Sequence, residues 1–230
     1  MNVRAAAIAA VGSLLFSAAP SFAQRAAAST RTQTPSRVEF RPFAIITGER
    51  FTASTTFDAN LGSALQPLWG GGVDVTMRNN LFVDVAVSRM SKSGQRAFVN
   101  EGRVFRTAIA LHTTVTPVEL TAGYRFHPKP RRLIHRHRVA LIPYVGIGVG
   151  VYRFEETSDF SNPGEDVSES HLGFAALGGA EFRVSKWVGI TADAQYTHVP
   201  GILGRGGISK DSSERDLGGI AGRVRVILGR

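Results

Sequence analysis

The chain has 230 residues, no cysteine, and 27 lysines and arginines against 18 aspartates and glutamates, a formal net charge of +9. Without cysteine there can be no disulfide, thiolate metal site or cysteine nucleophile. The cations are scattered along the chain and concentrated in one turn, with no basic helix face, so the charge points to an envelope setting and not to nucleic acid.

The first 23 residues follow the plan of a secretory signal. Arg4 supplies the charge, Ala5 to Ala19 the apolar stretch, and Ser21-Phe22-Ala23 the small residues of a cleavage site before Gln24. The apolar run is short for a spanning helix and stops at Pro20. Residues 24–37 read as a flexible lead-in and residues 38–230 as a single domain. Beyond residue 23 no apolar run approaches the length of about eighteen that a spanning helix needs. An exported chain of this kind is either soluble in the periplasm or a closed barrel, because hydrocarbon tolerates only backbones whose polar groups are all bonded internally.

From residue 38 onward the sequence alternates with period two in eight segments. In the first, 38–51, Val38, Phe40, Pro42, Ala44 and Ile46 oppose Glu39, Arg41 and Glu49. A loop follows, and the second, 66–77, sets Trp69, Val73, Val75 and Met77 against Asp74 and Thr76. Arg78-Asn79-Asn80 reads as a tight turn, asparagine being tolerant of positive φ. The third, 81–91, sets Leu81, Val83, Val85 and Val87 against Phe82, Asp84, Ala86 and Ser88. Residues 92–113 read as a long connection whose tail could extend a strand. The fourth, 114–126, has Val118, Leu120, Ala122, Tyr124 and Phe126 against Glu119, Thr121, Gly123 and Arg125.

A basic turn, 127–137, leads to the fifth segment, 138–154, where Val145, Ile147, Val149 and Val151 oppose Gly146, Gly148 and Gly150. After an acidic loop, 155–169, the sixth, 170–183, sets Leu172, Phe174, Ala176, Ala180 and Phe182 against Gly173, Gly179, Glu181 and Arg183. Val184-Ser185-Lys186 turns into the seventh, 187–197, with Val188, Ile190, Ala192, Ala194 and Tyr196 against Thr191, Asp193, Gln195 and Thr197. A Gly-rich loop, 198–215, precedes the eighth, 216–228, where Ile220, Val224, Val226 and Leu228 oppose Arg223 and Arg225.

One face is apolar throughout and the other carries the charges. In a soluble sandwich the charged face would meet water; in an outer-membrane barrel the apolar face meets lipid and the charged face lines the lumen. Three features favour the barrel: connections that alternate long and short, aromatics at strand ends, and strands longer than the globular norm. The expected fold is therefore all-β: an eight-stranded antiparallel transmembrane barrel with short periplasmic turns and long extracellular loops. A barrel of eight strands is just wide enough to be filled by side chains. Its lumen should hold a charge network of Arg41, Asp74, Asp84, Glu119, Arg125, Glu181, Arg183, Asp193, Arg223 and Arg225, since buried charge is costly unless paired. The short turns put Arg125, Arg183, Arg223 and Arg225 near the periplasmic end, with Asp74, Asp84, Glu119 and Asp193 slightly deeper. The glycines of the fifth strand would leave room for long arginines.

Pro143-Tyr144-Val145-Gly146-Ile147-Gly148-Val149-Gly150, Thr121-Ala122-Gly123-Tyr124-Arg125-Phe126 and Ala192-Asp193-Ala194-Gln195-Tyr196 resemble the strand signatures of small outer-membrane β-barrel proteins, the barrels similar to outer membrane proteins A, X and W. The likeness spans roughly residues 38 to 228. It implies an outer-membrane location and insertion by the barrel assembly machinery. The chain departs from the pattern at Gly229-Arg230, where such barrels usually finish on an aromatic residue, and the peptidoglycan-binding domain of some relatives is not expected after the eighth strand.

Three features invite chemistry. His198 lies where barrel lipid A deacylases carry a histidine, but Pro200 stands where their nucleophilic serine would be, so an enzyme is not expected. Glu155, Glu156, Asp159, Glu165, Asp166 and Glu169 could bind a divalent cation, yet their spacing fits no calcium loop and a solvated acidic loop is the plainer reading. Lys129, Arg131, Arg132 and Arg136, with His127, His135 and His137 and with Arg138 just beyond, could touch anionic headgroups or wall polymer, yet a solvated basic turn is the plainer reading. No cofactor and no metal is expected. The leading function is a monomeric structural or surface-interaction barrel whose loops contact outer-membrane lipid, lipopolysaccharide or partners. The alternatives are passage of small hydrophobic solutes and a soluble, lipocalin-like periplasmic binder.

Overall fold

In a computed structural model, residues 38–77, 79–100, 103–126, 140–158, 167–185, 187–204 and 207–229 are described. The chain divides into two units, Met1–Pro35 and Ser36–Arg230, and every described residue lies in the second. The signal and lead-in expected over 1–37, the basic turn 127–137, and Asp159, Glu165 and Asp166 of the acidic loop lie outside the described residues.

Period-two sequences make extended chain, and here each strand pairs with the next. The strands are β1 (Glu39–Phe51), β2 (Leu65–Thr76), β3 (Leu81–Asn100), β4 (Arg103–Arg125), β5 (Ala140–Ser158), β6 (Val167–Arg183), β7 (Val188–Val199) and β8 (Leu217–Leu228). All neighbours are antiparallel, and β8 pairs back onto β1 through Phe43↔Ile227 to Phe51↔Gly219, closing the barrel. Closure leaves no sheet edge in the wall, as a hydrocarbon environment requires.

The pleat sorts side chains as the alternation demands. Along β1, Arg41, Phe43, Ile45, Thr47 and Glu49 are buried inside, while the residues between them are exposed. The outer surface is a continuous apolar belt, with Ile147 73 % and Trp69 70 % exposed and Leu172, Ile46 and Ile220 close behind. Such a belt is far larger than a soluble monomer tolerates. Its natural solvent is the acyl interior of a bilayer.

Two features differ from the sequence expectation. The segment 92–113 is not a loop: β3 and β4 stay paired from Met90↔Val115 out to Asn100↔Arg103, with a register irregularity between Gln95 and Ala97. Pairing between β2 and β3 ends at Trp69↔Arg89, so the two long strands project beyond the wall as an arm. The apolar alternation fades there because outward residues such as Ser91, Ser93, Thr114 and His112 no longer face hydrocarbon, although backbone pairing continues. The strict long-short rhythm therefore fails. Only residues 101–102 separate β3 from β4, whereas 126–139 separate β4 from β5.

The second difference is helical. The connection between β1 and β2 contains α1 (Ser54–Leu61), and that between β7 and β8 contains α2 (Gly207–Asp211). Smaller shifts follow from the longer strands: Glu155 and Glu156 belong to β5, Glu169 to β6, and His198 to β7, none of them to a loop. The turn after β2 is as expected, with Asn80 at φ +66° and Met77 N–H donating to Leu81 O at 2.8 Å.

Candidate functional site

The interior is built from inward positions of all eight strands, and its charges form two clusters. At the end where β1 begins and β8 stops, Arg41 donates through Nε to Asp74 Oδ1 (2.8 Å) and through Nη1 and Nη2 to Glu181 (3.0 and 3.2 Å). Arg125 shares both carboxylates, at 2.5 Å from Asp74 Oδ2 and 3.4 Å from Glu181 Oε2. It also donates to Thr76 Oγ1 at 2.6 Å. Arg183, at the rim, donates to Glu181 Oε1 at 3.1 Å. Asp74 and Glu181 are fully buried, so each carboxylate needs this bidentate guanidinium company to offset lost hydration.

The second cluster holds the other five residues. Arg225 donates to Asp84 Oδ2 (2.6 Å) and to Tyr144 Oη (2.8 Å), and lies 3.3 Å from Asp193 Oδ2. Tyr144 Oη in turn donates to Asp193 Oδ2 at 2.5 Å. Arg223 donates to Asp193 Oδ1 at 2.5 Å and lies 3.6 Å from Glu119 Oε2. Glu119 also accepts from Gln195 Nε2 (2.9 Å) and from the Tyr152 hydroxyl. The two clusters meet where Asp74 and Asp84 stand opposite each other across β2 and β3.

Arg223 and Arg225 are deeper than the turn-based reading places them. On β8 the last inward position is Ile227, which faces Phe43; Arg225 faces Ile45 and Arg223 faces Thr47, well along β1. Each two-residue step along a strand is about 7 Å. Between and beside the charges lie apolar groups: Phe43, Ile45, Ala86 and Ile227 in one patch, and Phe82, Tyr144 and Leu177 in another. The Arg125 guanidinium lies 4.3 Å from the Phe82 ring centroid, and Arg225 lies 5.2 Å from Phe43, both within cation–π range.

The β5 glycines do not house arginines. A Cβ on Gly146 would meet Ala122 O and then the side chains of Thr121 and Leu177, and one on Gly150 would meet Val118 O and then Tyr152 and Glu119. The glycines make room instead for Thr121 and Leu177 at one level and for Tyr152 and Glu119 at the other.

Towards the other end the filling becomes mainly apolar, with Glu49, Gln66 and Thr113 buried beside it. Phe51, Ala53, Phe57, Leu61, Leu68, Met90, Val115, Tyr152, Phe154, Val199, Ile202, Leu203 and Leu217 form one buried cluster, in which Phe51 and Phe57 stack at 4.3 Å. It is a cap, made by α1 and the β7–β8 connection lying over the barrel mouth. The arm leans on it: Ala97 packs with Ala59 and Ile208, and Arg106 donates to the carbonyls of Ala59 and Asp58 at 2.9 Å each.

Tyr144 and Tyr152 were given no face in the sequence reading, and Thr191 and Gln195 were set on the polar face but not in the charge network. Their parity with Gly146, Gly148 and Asp193 was the available signal. His198 is exposed on the outer face, and Glu155 lies 2.5 Å from Arg153.

Residues 10–214 match the family model described as the outer membrane protein beta-barrel domain. The chain belongs to that family. Its apolar belt accordingly sits in the outer membrane and its charged face lines the lumen, which replaces the soluble, lipocalin-like alternative. Among solved structures, neisserial surface protein A is similar at 14% identity over 81% of this chain and 96% of its own, with a TM-score of 0.46. The N-terminal β-barrel domain of OprF from Pseudomonas aeruginosa is 13% identical over 83% and 99%, TM-score 0.43. Ail, the attachment invasion locus protein of Yersinia pestis, is 14% identical over 83% and 97%, TM-score 0.44. No curated protein matches the chain. Just after β8, Gly229 N–H donates to Trp187 O at 2.9 Å, and a Cβ there would come 2.8 Å from Cγ of Arg41.

Proposed function

We propose that this outer-membrane barrel is a structural and surface-interaction protein, not a channel and not an enzyme. The observation that carries the reading is the filling of the barrel: two clusters of buried ion pairs, with an apolar cap above them. An axial path for solutes would have to break buried charge pairs, each costly to separate. In this reading the leader over residues 1–23 is removed on export and the barrel assembly machinery inserts the remainder as a monomer. The capped end faces outward, where the arm and cap meet lipopolysaccharide and partners. The enzyme reading lacks a nucleophile beside His198, for which Pro200 is no substitute.

The test is solute entry into proteoliposomes carrying the full chain, assayed with a small sugar and with a small apolar solute. Entry at the rate of empty liposomes is expected for both. Faster entry of the apolar solute would replace this reading with hydrophobic solute passage.

A further inference from the structure

Helix α1 has no acceptor of its own for its first amides. Ala53 stands at its N-cap without a side-chain hydrogen bond, and its first turn holds no acid. The acceptor comes from the other connection of the cap. Glu214, between α2 and β8, takes the Thr55 N–H on Oε1 at 2.9 Å and the Thr56 N–H on Oε2 at 2.8 Å, and Oε2 also accepts from Thr56 Oγ1 at 2.6 Å. A carboxylate here satisfies orphan amides and sits at the favourable pole of the helix dipole. Glu214 is half-buried, so protons reach it from bulk water.

We infer that α1 and the described residues 207–216 form one lid, and that Glu214 is its latch, releasing the start of α1 when its carboxylate is neutralised. Among the described residues of the cap and arm, three other charged groups are engaged elsewhere. Asp58 accepts from Ala64 N–H (2.6 Å), Asp216 accepts from Gly201 N–H (3.0 Å), and Arg106 of the arm is bound to the α1 carbonyls. Lys210, Asp211 and Arg215 lie on the same connection as the latch itself. Burial alone would raise the Glu214 pKa, but the bonds from Thr56 and Thr55 outweigh it and hold it below the ordinary 4.5. The latch's contribution is therefore complete above that pH and is lost as pH falls through the lower, folded value.

The test compares wild type, E214Q and E214A, each as full chain in lipid nanodiscs. At neutral pH, amide exchange protection over Ser54–Leu61 should fall about tenfold in E214A, the scale of a lost N-cap, with strand amides unchanged. E214Q should fall in between. In wild type the Thr55 and Thr56 amide resonances should titrate together below pH 4.5, and in E214A that titration should vanish. Unchanged α1 protection in both variants, or Thr55 and Thr56 resonances that do not titrate in wild type, would overturn the latch. So would protection lost equally in helix and strands.

Discussion

Asp74 stands between two guanidinium groups, bonded to Arg41 on one oxygen and Arg125 on the other, with no solvent exposure. Removing it leaves two buried cations to share Glu181. Asp74→Ala should therefore lower the unfolding free energy by about 3–5 kcal/mol, the usual result of breaking a buried pair from one side. Urea titration of the barrel in lipid vesicles reads this directly; a loss near zero would mean the cluster is solvated. The aspartate and both arginines were legible because charge at an alternating position in an apolar strand leaves few other readings. Tyr144 and Tyr152 were less legible, since an aromatic suits both lipid and lumen, and only counting from the glycines of β5 assigns them inward. Phe43 shares that ambiguity, whereas the alternation already sets Phe82 on the face of Asp84; the two rings fill space beneath Arg225 and Arg125.

At the scale of elements, the wall and the cap were legible to very different degrees. A lipid-facing strand must be apolar at every second residue, so most of each wall strand is written locally. The cap is tertiary. Helix α1 shows only Phe57 and Leu61 as large apolar residues, and its place depends on partners on β3, β4, β5 and the far connection. Phe57→Ala should cost the cap about 3–5 kcal/mol, the range for a buried phenylalanine, while the barrel still forms. The check is a fall in α1 exchange protection with normal heat-modifiable gel migration; loss of the folded band would show that cap and wall are one cooperative unit. The β8–β1 seam makes a second demand. Gly219 has φ +153° and a Cβ there would sit 1.9 Å from Arg50 O. Gly219→Ala should strain the seam by about 1–3 kcal/mol and lower the yield of folded barrel on refolding into detergent. An unchanged yield would mean that the seam relaxes freely.

On the scale of the whole molecule, the alternation read from the sequence describes two solvents. Outside is hydrocarbon, met by a belt from Phe40 to Leu228; inside is a medium the protein makes for itself from guanidinium, carboxylate, phenol and aromatic rings. The expected rhythm of connections was less reliable than the rhythm of strands, because β3 and β4 leave the membrane still paired and because connections carry no lipid constraint. Acid should loosen the α1 lid below pH 4.5 by neutralising Glu214. The central claim is that this barrel is filled along its length. Single-channel recording of the full chain in planar lipid bilayers tests it most directly. The filled barrel gives no steady conductance steps above the bare membrane; regular, ohmic steps that scale with the amount of protein would contradict it.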